Sequence, residues 1–329
     1  MFPIEAPPPH AAVNVYPAGL QFVALRECRV CAADRSMLST LMSDVPDLEV
    51  EGAPPFAILQ CSRCGTALTD PHPTESTIHR LYEDSPSTDY EFPEAGLSGR
   101  LKDAFARKRI RLLAQPLREA PGRILDFGTG AGRYANAASQ VFPNAVVTGT
   151  DFAPAAPRGS YYDLNQKLRY VQYDALKDSS ARFDLILARH VIEHVHDPVQ
   201  LLSTWLRTLL APGGSIYIEV PNLHSQTARL LGSKWPLWYV PRHLSHFTRQ
   251  SLQAAIERAG GTAKIRSCEL PMMGNVLAMK LGRSRFDKRF RLLGVLLHPL
   301  QMALEARSSE GTCLFAMVRD AGAPALDKT

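Results

Sequence analysis

The run Ile124-Leu125-Asp126-Phe127-Gly128-Thr129-Gly130-Ala131-Gly132 constrains this chain more than any other feature. A short strand leads straight into three glycines at alternate positions, a turn whose backbone can approach a ligand closely at the start of a helix. After Pro121-Gly122, short apolar runs alternate with helical stretches. Strands are expected over 123–127, 145–150, 168–173, 183–189 and 215–220, with two more candidates at 263–270 and 312–318. That alternation specifies an α/β domain, a parallel sheet covered by helices on both faces. Asp197-Pro198 offers a helix N-cap followed by proline at the first helical position. Thr248 caps a further helix over 249–259, which Gly260-Gly261 ends.

Glycine spacing then separates two kinds of nucleoside site. Asp151 closes the second strand 19 residues after Gly132, where a carboxylate can accept hydrogen bonds from ribose hydroxyls. Asp174 closes the third strand, placed to receive an adenine amino group. A dinucleotide-binding domain shares these features but wants Gly or Ala at the sixth position of its fingerprint, for close helix packing. Here the spacing is Gly-x-Gly-x-Gly, and the sixth position is Arg133. The pattern therefore argues against a nicotinamide cofactor.

Four of the six cysteines form two Cys-x-x-Cys pairs, Cys28 with Cys31 and Cys61 with Cys64. Two residues between thiols place both sulfurs at one turn, and two such turns make the closed tetrahedron of a structural zinc site. Gly65 follows the second pair, where a tight knuckle wants positive φ. Segments 38–50 and 54–59 are expected as ribbon strands. A redox pair and a disulfide-linked module are the competing readings. Cys268 and Cys313 each stand in a strand-like apolar run and receive no role.

At 329 residues, 45% hydrophobic and 21% charged, the chain fits a folded protein of two units. The expected division is a loose tail at 1–25, a zinc-ribbon module at 26–70, a helical connector at 71–120 and a catalytic domain at 121–329 with an insertion at 271–310. No run of about 18 apolar residues is uninterrupted, and the proline- and alanine-rich start lacks a signal-peptide pattern, so a cytoplasmic location is expected. A net charge of +5 is modest. The arginine clusters at 107–111 and 283–291 read as solvated helix faces with too few aromatics for nucleic acid. The amphipathic stretch 286–306 allows peripheral membrane contact or a dimer face, with burial against its own sheet as the default.

From Gly122 to Asp320 the sequence resembles the class I S-adenosylmethionine-dependent methyltransferases. The matching pieces are Ile124 to Gly132, Thr148-Gly149-Thr150-Asp151, Tyr173-Asp174-Ala175, Phe183-Asp184-Leu185-Ile186 through Glu193-His194-Val195, and Leu210-Ala211-Pro212-Gly213-Gly214. The resemblance implies a Rossmann-like, seven-stranded sheet ending in an antiparallel strand. It also implies a donor site of Asp126, Gly128, Thr129, Gly130 and Gly132 at the methionine end, Asp151 and Phe152 at the ribose, and Asp174 and Ala175 at the adenine, with Arg189 alongside.

The cysteine pairs, Asp70-Pro71-His72-Pro73, Leu81-Tyr82 and the stretch 240–248 are similar to a bacterial subgroup with an N-terminal zinc ribbon, found in sugar and polysaccharide pathways. That similarity implies a small-molecule acceptor, sugar or nucleotide-sugar among them. The sugar branch's Glu-based catalytic stretch is not recognisable at Glu219-Val220-Pro221-Asn222, so carbon, sugar-hydroxyl and phenolic acceptors stay open.

Methyl transfer is an in-line displacement, in which the protein chiefly aligns the acceptor and excludes water, a base being needed only where the acceptor must lose a proton early. Six of ten histidines lie between His190 and His246, around the carboxyl ends of the fourth and fifth strands. His190, His243 and His246 are the candidate bases, each weighed against a plain packing role. Glu193 and His194 are expected to open a helix and anchor the loop. His190, Glu193 and His194 also resemble the Glu-x-x-Glu-His site of metal-assisted O-methyltransferases, with imidazole for the first carboxylate. Trp235, Trp238 and Tyr239 suit either an acceptor wall or core, Tyr82 and Tyr90 either a lid or packing, and Arg242 either an anionic acceptor or an ion pair. A catalytically silent, donor-binding scaffold with a ribbon for partners is the rival function.

Overall fold

The computed structural model describes residues 15–83, 91–115, 117, 119–177, 179–268, 273–281, 293–294, 296–297, 301 and 310–322. In chain order its strands and helices begin with β1 (Phe22–Val23), β2 (Leu38–Val45), β3 (Phe56–Cys61), β4 (Ala67–Asp70), β5 (His72–Pro73), α1 (Arg80–Glu83) and α2 (Gly96–Ala114). There follow β6 (Arg123–Phe127), α3 (Arg133–Val141), β7 (Val146–Asp151), α4 (Tyr161–Leu164), β8 (Leu168–Gln172), α5 (Tyr173–Lys177), β9 (Phe183–Arg189), α6 (Pro198–Thr204) and β10 (Leu210–Pro221). Last come α7 (Gln226–Leu231), β11 (Ser245–His246), α8 (Arg249–Arg258), β12 (Gly261–Cys268), α9 (Met273–Lys280) and β13 (Cys313–Asp320).

Seven strands form one sheet in the order β12-β13-β10-β9-β6-β7-β8. Neighbours from β10 to β8 run parallel, and β13 runs antiparallel to both β10 and β12. The all-apolar centres of β9 and β10 follow from this burial on both faces, since Leu185, Ile186, Leu187, Ile216, Tyr217 and Ile218 are each 0% exposed. Both helix starts read from the sequence are present: Asp197 Oδ1 accepts from Gln200 N ahead of Pro198, and Thr248 and Ser251 form a reciprocal capping box on α8. From β6 the chain winds out to β7 and β8, then returns to lay down β9 on the other side. The carboxyl ends of β6 and β9 therefore flank a topological switch point, where open α/β sheets bind ligands.

The ribbon is built partly by the distant loop between β10 and α8. Its sheet has the order β11-β4-β3-β2, with Ser245 opposite Leu68 and His246 opposite Ala67. Trp235 and Trp238, buried with Val45, Phe56 and Ile58, fill the space between that loop and β2–β3. Both indoles donate hydrogen bonds, Trp235 to Thr227 and Trp238 to Gly232 O, so these aromatics are core rather than an acceptor wall.

The described part of the expected tail is ordered. β1 pairs with β5, Tyr16 donates to Asp47 Oδ2 at 3.0 Å, and Tyr16 and Phe22 pack on Phe56. Tyr90, the arginine cluster 283–291 and nearly all of 286–306 lie outside the described residues. No helix among the described residues is long and apolar enough to cross a membrane.

Candidate active site

The three glycines of the first turn all have positive φ, 67° at Gly128, 51° at Gly130 and 83° at Gly132, which side chains rarely adopt. Backbone N–H groups of Gly128 and Thr129 bond Thr150 O at 2.9 and 3.1 Å, stitching the turn to β7. A Cβ on Gly132 would also strike the Tyr162 ring at 2.6 Å. Tyr162 fills the space over Gly149 in the same way, which explains the glycine in Thr148-Gly149-Thr150.

Asp151 ends β7 with Oδ1 accepting from Phe152 N at 2.8 Å and Oδ2 from Gly130 N at 3.3 Å. Each oxygen keeps a lone pair for a further donor. Burial raises its carboxyl pKa against those two N–H bonds. Beside it Phe152 is 57% exposed, with its ring edge on Tyr173 at 5.5 Å, an apolar platform next to a carboxylate. Asp174 and Ala175 do not close a strand. They sit exposed in the first turn of α5, where Asp174 pairs with Lys177 at 3.1 Å. The chain turns into α5 immediately after Gln172, one residue earlier than the apolar run suggests.

Asp126 faces inward, accepting from Thr129 Oγ1 at 2.8 Å and Ala135 N at 3.0 Å. Burial pushes its pKa up to about 6, partly offset by the Thr129 hydroxyl and Arg189. Because only the ionised form attracts a cationic ligand at this turn, affinity for the S-adenosylmethionine that the resemblance implies should hold above pH 6 and weaken below it, by at most about tenfold per pH unit. Calorimetry across pH 5 to 8 checks this, with Asp126→Asn expected to flatten the profile. Arg133, the residue that broke the dinucleotide pattern, is buried and holds the segment before α2 through Glu91 and the Phe92 carbonyl, and α2 itself through Asp103.

Across the switch point lies a buried charge network that the sequence reading did not find. Glu219, 0% exposed on β10, receives Arg109 Nη2 at 2.7 Å and the Tyr217 hydroxyl at 2.5 Å, with Arg189 Nε at 3.5 Å. Burial alone would raise this carboxyl, but Arg189, Arg109 and His190 hold it down at about 2. Arg109 belongs to the arginine cluster expected to be solvated, yet it points inward and also donates to Cys268 Sγ at 2.8 Å. Cys268 stands directly opposite Cys313 across β12 and β13. Arg189 lies 3.6 Å over the Tyr134 ring, so its guanidinium is held by the protein's own groups.

His190 follows β9 at φ 52°, a strained conformation of the kind that collects at functional sites. Its Nδ1 lies 3.2 Å from Glu193 Oε1 and its Nε2 3.8 Å from Glu219 Oε1, with the side chain 29% exposed. Glu193 and His194 lie in a turn before α6, not in a helix. The anchoring expected of them is visible: Glu193 O accepts from Leu244 N at 2.8 Å and Ser245 N at 3.1 Å.

The other two candidate bases are buried. His246 is buried in the ribbon sheet with Nε2 3.0 Å from Thr69 Oγ1, and burial pushes its pKa down to about 3. His243 donates Nδ1–H to Leu237 O at 2.9 Å, and burial together with His194 and His246 holds it well below the usual histidine range. Arg242 turns towards Asp47 and Leu81 O rather than a pocket. Tyr82 meets His194 Nδ1 at 3.0 Å.

The four ribbon cysteines are buried, with their sulfurs all within 4.8 Å of one another. Sγ separations of 3.5 Å (Cys28 to Cys64) and 3.6 Å (Cys31 to Cys61) exclude disulfides at ~2.05 Å and suit a tetrahedron with Zn–S of ~2.3 Å. The two knuckles repeat one geometry. Ala32 N bonds Cys28 O and Gly65 N bonds Cys61 O, with φ of 53° and 77°. The donor set and its shape fit zinc.

Residues 98–262 match a family model described as a methyltransferase domain, half of the 329-residue chain. The chain belongs to the methyltransferase domain family. Its sequence is 31% identical over 139 residues to the ubiquinone biosynthesis O-methyltransferase of Cereibacter sphaeroides, covering 40% of this chain and 55% of that one. It is 35% identical over 134 residues to the trans-aconitate 2-methyltransferase of Methylobacterium radiotolerans, covering 40% and 51%. This methyltransferase domain thus spans about half the length of the curated relatives it matches. Among solved structures, the plantazolicin methyltransferase BpumL, in complex with a monoazolic desmethylPZN analog and SAH, aligns with a TM-score of 0.41 and 21% identity over 68% of this chain and 90% of that one.

Proposed function

We propose that this chain transfers the methyl group of S-adenosylmethionine to a small-molecule acceptor that gives up a proton, a sugar hydroxyl among the candidates. The observation that carries the reading is the turn of three left-handed glycines facing the Asp151 carboxylate and the exposed Phe152 ring at the switch point. Ribose hydroxyls would take the remaining Asp151 lone pairs, adenine would lie on Phe152 with Asp174 and Ala175 at its edge, and the methionine end would follow Gly128 to Gly132.

On the acceptor side, His190 Nδ1–H would donate a hydrogen bond to Glu193 Oε1, which leaves Nε2 as the proton acceptor. The acceptor oxygen forms its bond to the methyl carbon while the carbon–sulfur bond breaks, and its proton passes to His190 Nε2. Ionised Glu219 then faces the resulting imidazolium. His190→Ala should lower kcat about 100- to 10,000-fold and leave donor affinity unchanged within about twofold. Single-turnover assays beside calorimetry would check this, and equal losses in both would contradict the assignment. An acceptor screen detecting S-adenosylhomocysteine separates this reading from a silent donor-binding scaffold, which would bind the donor and show no turnover with any sugar, phenol or carboxylate.

One observation favours a metal-assisted variant. Glu193 Oε2 is buried without a hydrogen-bond partner, and Glu193, His194 and His243 offer ligand atoms within 4.8 Å of one another. His243 keeps Nε2 for a cation, since its Nδ1–H is committed to Leu237 O. The residues fit a divalent ion that tolerates nitrogen, and such an ion would supply Lewis-acid activation of the acceptor. In this arrangement His243 replaces His190 of the expected His-x-x-Glu-His set. Turnover unaffected by chelators that leave the ribbon metal in place would exclude the variant.

A further inference from the structure

A second cleft of about 570 Å³ lies between the first cysteine knuckle and the helices α6 and α8, away from the glycine turn. Its walls carry Arg26, Arg29, Arg207 and Arg258, together with His72 and His196. Only two carboxylates, Glu27 and Asp197, line it, and Asp197 is already the N-cap of α6. None of these four arginines has an ion-pair partner within 4.0 Å among the described residues.

Arg29 is the decisive group. Its Nη1 donates to His196 O at 2.8 Å, but Nε and Nη2 are buried and meet no acceptor. His72, more than nine-tenths buried in the same wall, also has an Nδ1 without a partner. A buried guanidinium without full pairing is costly, and an anion beside it removes that cost. Arginine forks match phosphate oxygens in particular.

We propose that this cleft binds a phosphate-bearing small molecule of sugar-phosphate or nucleotide size, at a site separate from the donor crevice. The same turn, 190–197, carries His190 and Glu193 at one end and His196 and Asp197 in the cleft wall at the other, so occupancy would brace the acceptor side of the sheet.

The test is calorimetry on the full, zinc-loaded chain at ~150 mM salt, where screening leaves only close contacts. Pyrophosphate and a nucleoside diphosphate serve as probes. The expected result is saturable one-to-one binding that Arg207→Glu with Arg258→Glu weakens at least about tenfold, with zinc content and S-adenosylmethionine affinity unchanged. Arg29→Gln should weaken it further, and a preserved zinc content would show that the knuckle still folds. Tighter binding of the nucleoside diphosphate than of pyrophosphate would identify a nucleotide, whereas equal affinity would identify the phosphate moiety alone. Absence of saturable binding, indifference to the charge reversals, or loss of binding in Asp151→Ala would overturn the proposal.

Discussion

Glu219→Leu is expected to destabilise the folded chain by about 3–5 kcal/mol, the cost of leaving a buried charge without its partner. Two guanidiniums converge on this carboxylate, Arg109 at 2.7 Å and Arg189 at 3.5 Å, and Glu219 is the largest charge that each of them faces. A domain of this size has only about 5–15 kcal/mol in hand, so the loss would be plain in a urea unfolding curve. The same pairing fixes a pH dependence. The folded carboxyl lies at about 2 against an ordinary 4.5, so its stabilisation is complete above pH 4.5 and disappears as pH falls towards 2. Glu219→Leu should lack that acid-dependent contribution. A midpoint within about 0.5 kcal/mol of the parent would refute the pairing argument.

If the four thiolates hold zinc, as their geometry fits, its removal should have the second large effect. Zinc bound by four thiolates contributes about 10–16 kcal/mol to folding in small modules, and here the ribbon has a sheet whose fourth strand is borrowed from 245–246. Loss of the ion would therefore release more than the N-terminal segment. Thr69 Oγ1 bonds His243 O at 2.7 Å, Thr69 N bonds Leu244 O, and Leu244 N and Ser245 N bond Glu193 O, a continuous path from the ribbon to the partner of His190. Cys61→Ser should yield protein without its zinc, fast amide exchange at 38–73 and 243–248 together, and impaired turnover. Donor binding at β6 and β7 should survive, because no hydrogen bond recorded in that turn involves the ribbon. Protection of 243–248 persisting without zinc would contradict this coupling.

Much of the sheet was legible because parallel strands buried on both faces are continuous apolar runs, and those runs start or end within a few residues of the strands seen. The glycine turn and the cysteine knuckles were legible for a different reason, since each demands particular residue types at fixed spacing. What stayed hidden depends on pairs far apart in sequence. Glu219 could be suspected as a lone acid in a buried strand, but Arg109 and Arg189 lie 110 and 30 residues earlier. β11 is two residues long and carries no periodicity, so nothing local marks it as part of the ribbon. His243 and His246 looked like equals of His190 in sequence. Burial is what distinguishes them in the fold, since His243 and His246 are enclosed while the His190 side chain is 29% exposed.

In the proposed function, the glycine turn and Asp151 hold S-adenosylmethionine. Titration calorimetry with the purified chain and its Asp151→Ala variant tests it most directly. The account predicts one donor molecule per chain for the parent and affinity about 100-fold weaker for the variant, the worth of two hydrogen bonds to a charged group. No binding by the folded parent, or equal affinity in the variant, would contradict it.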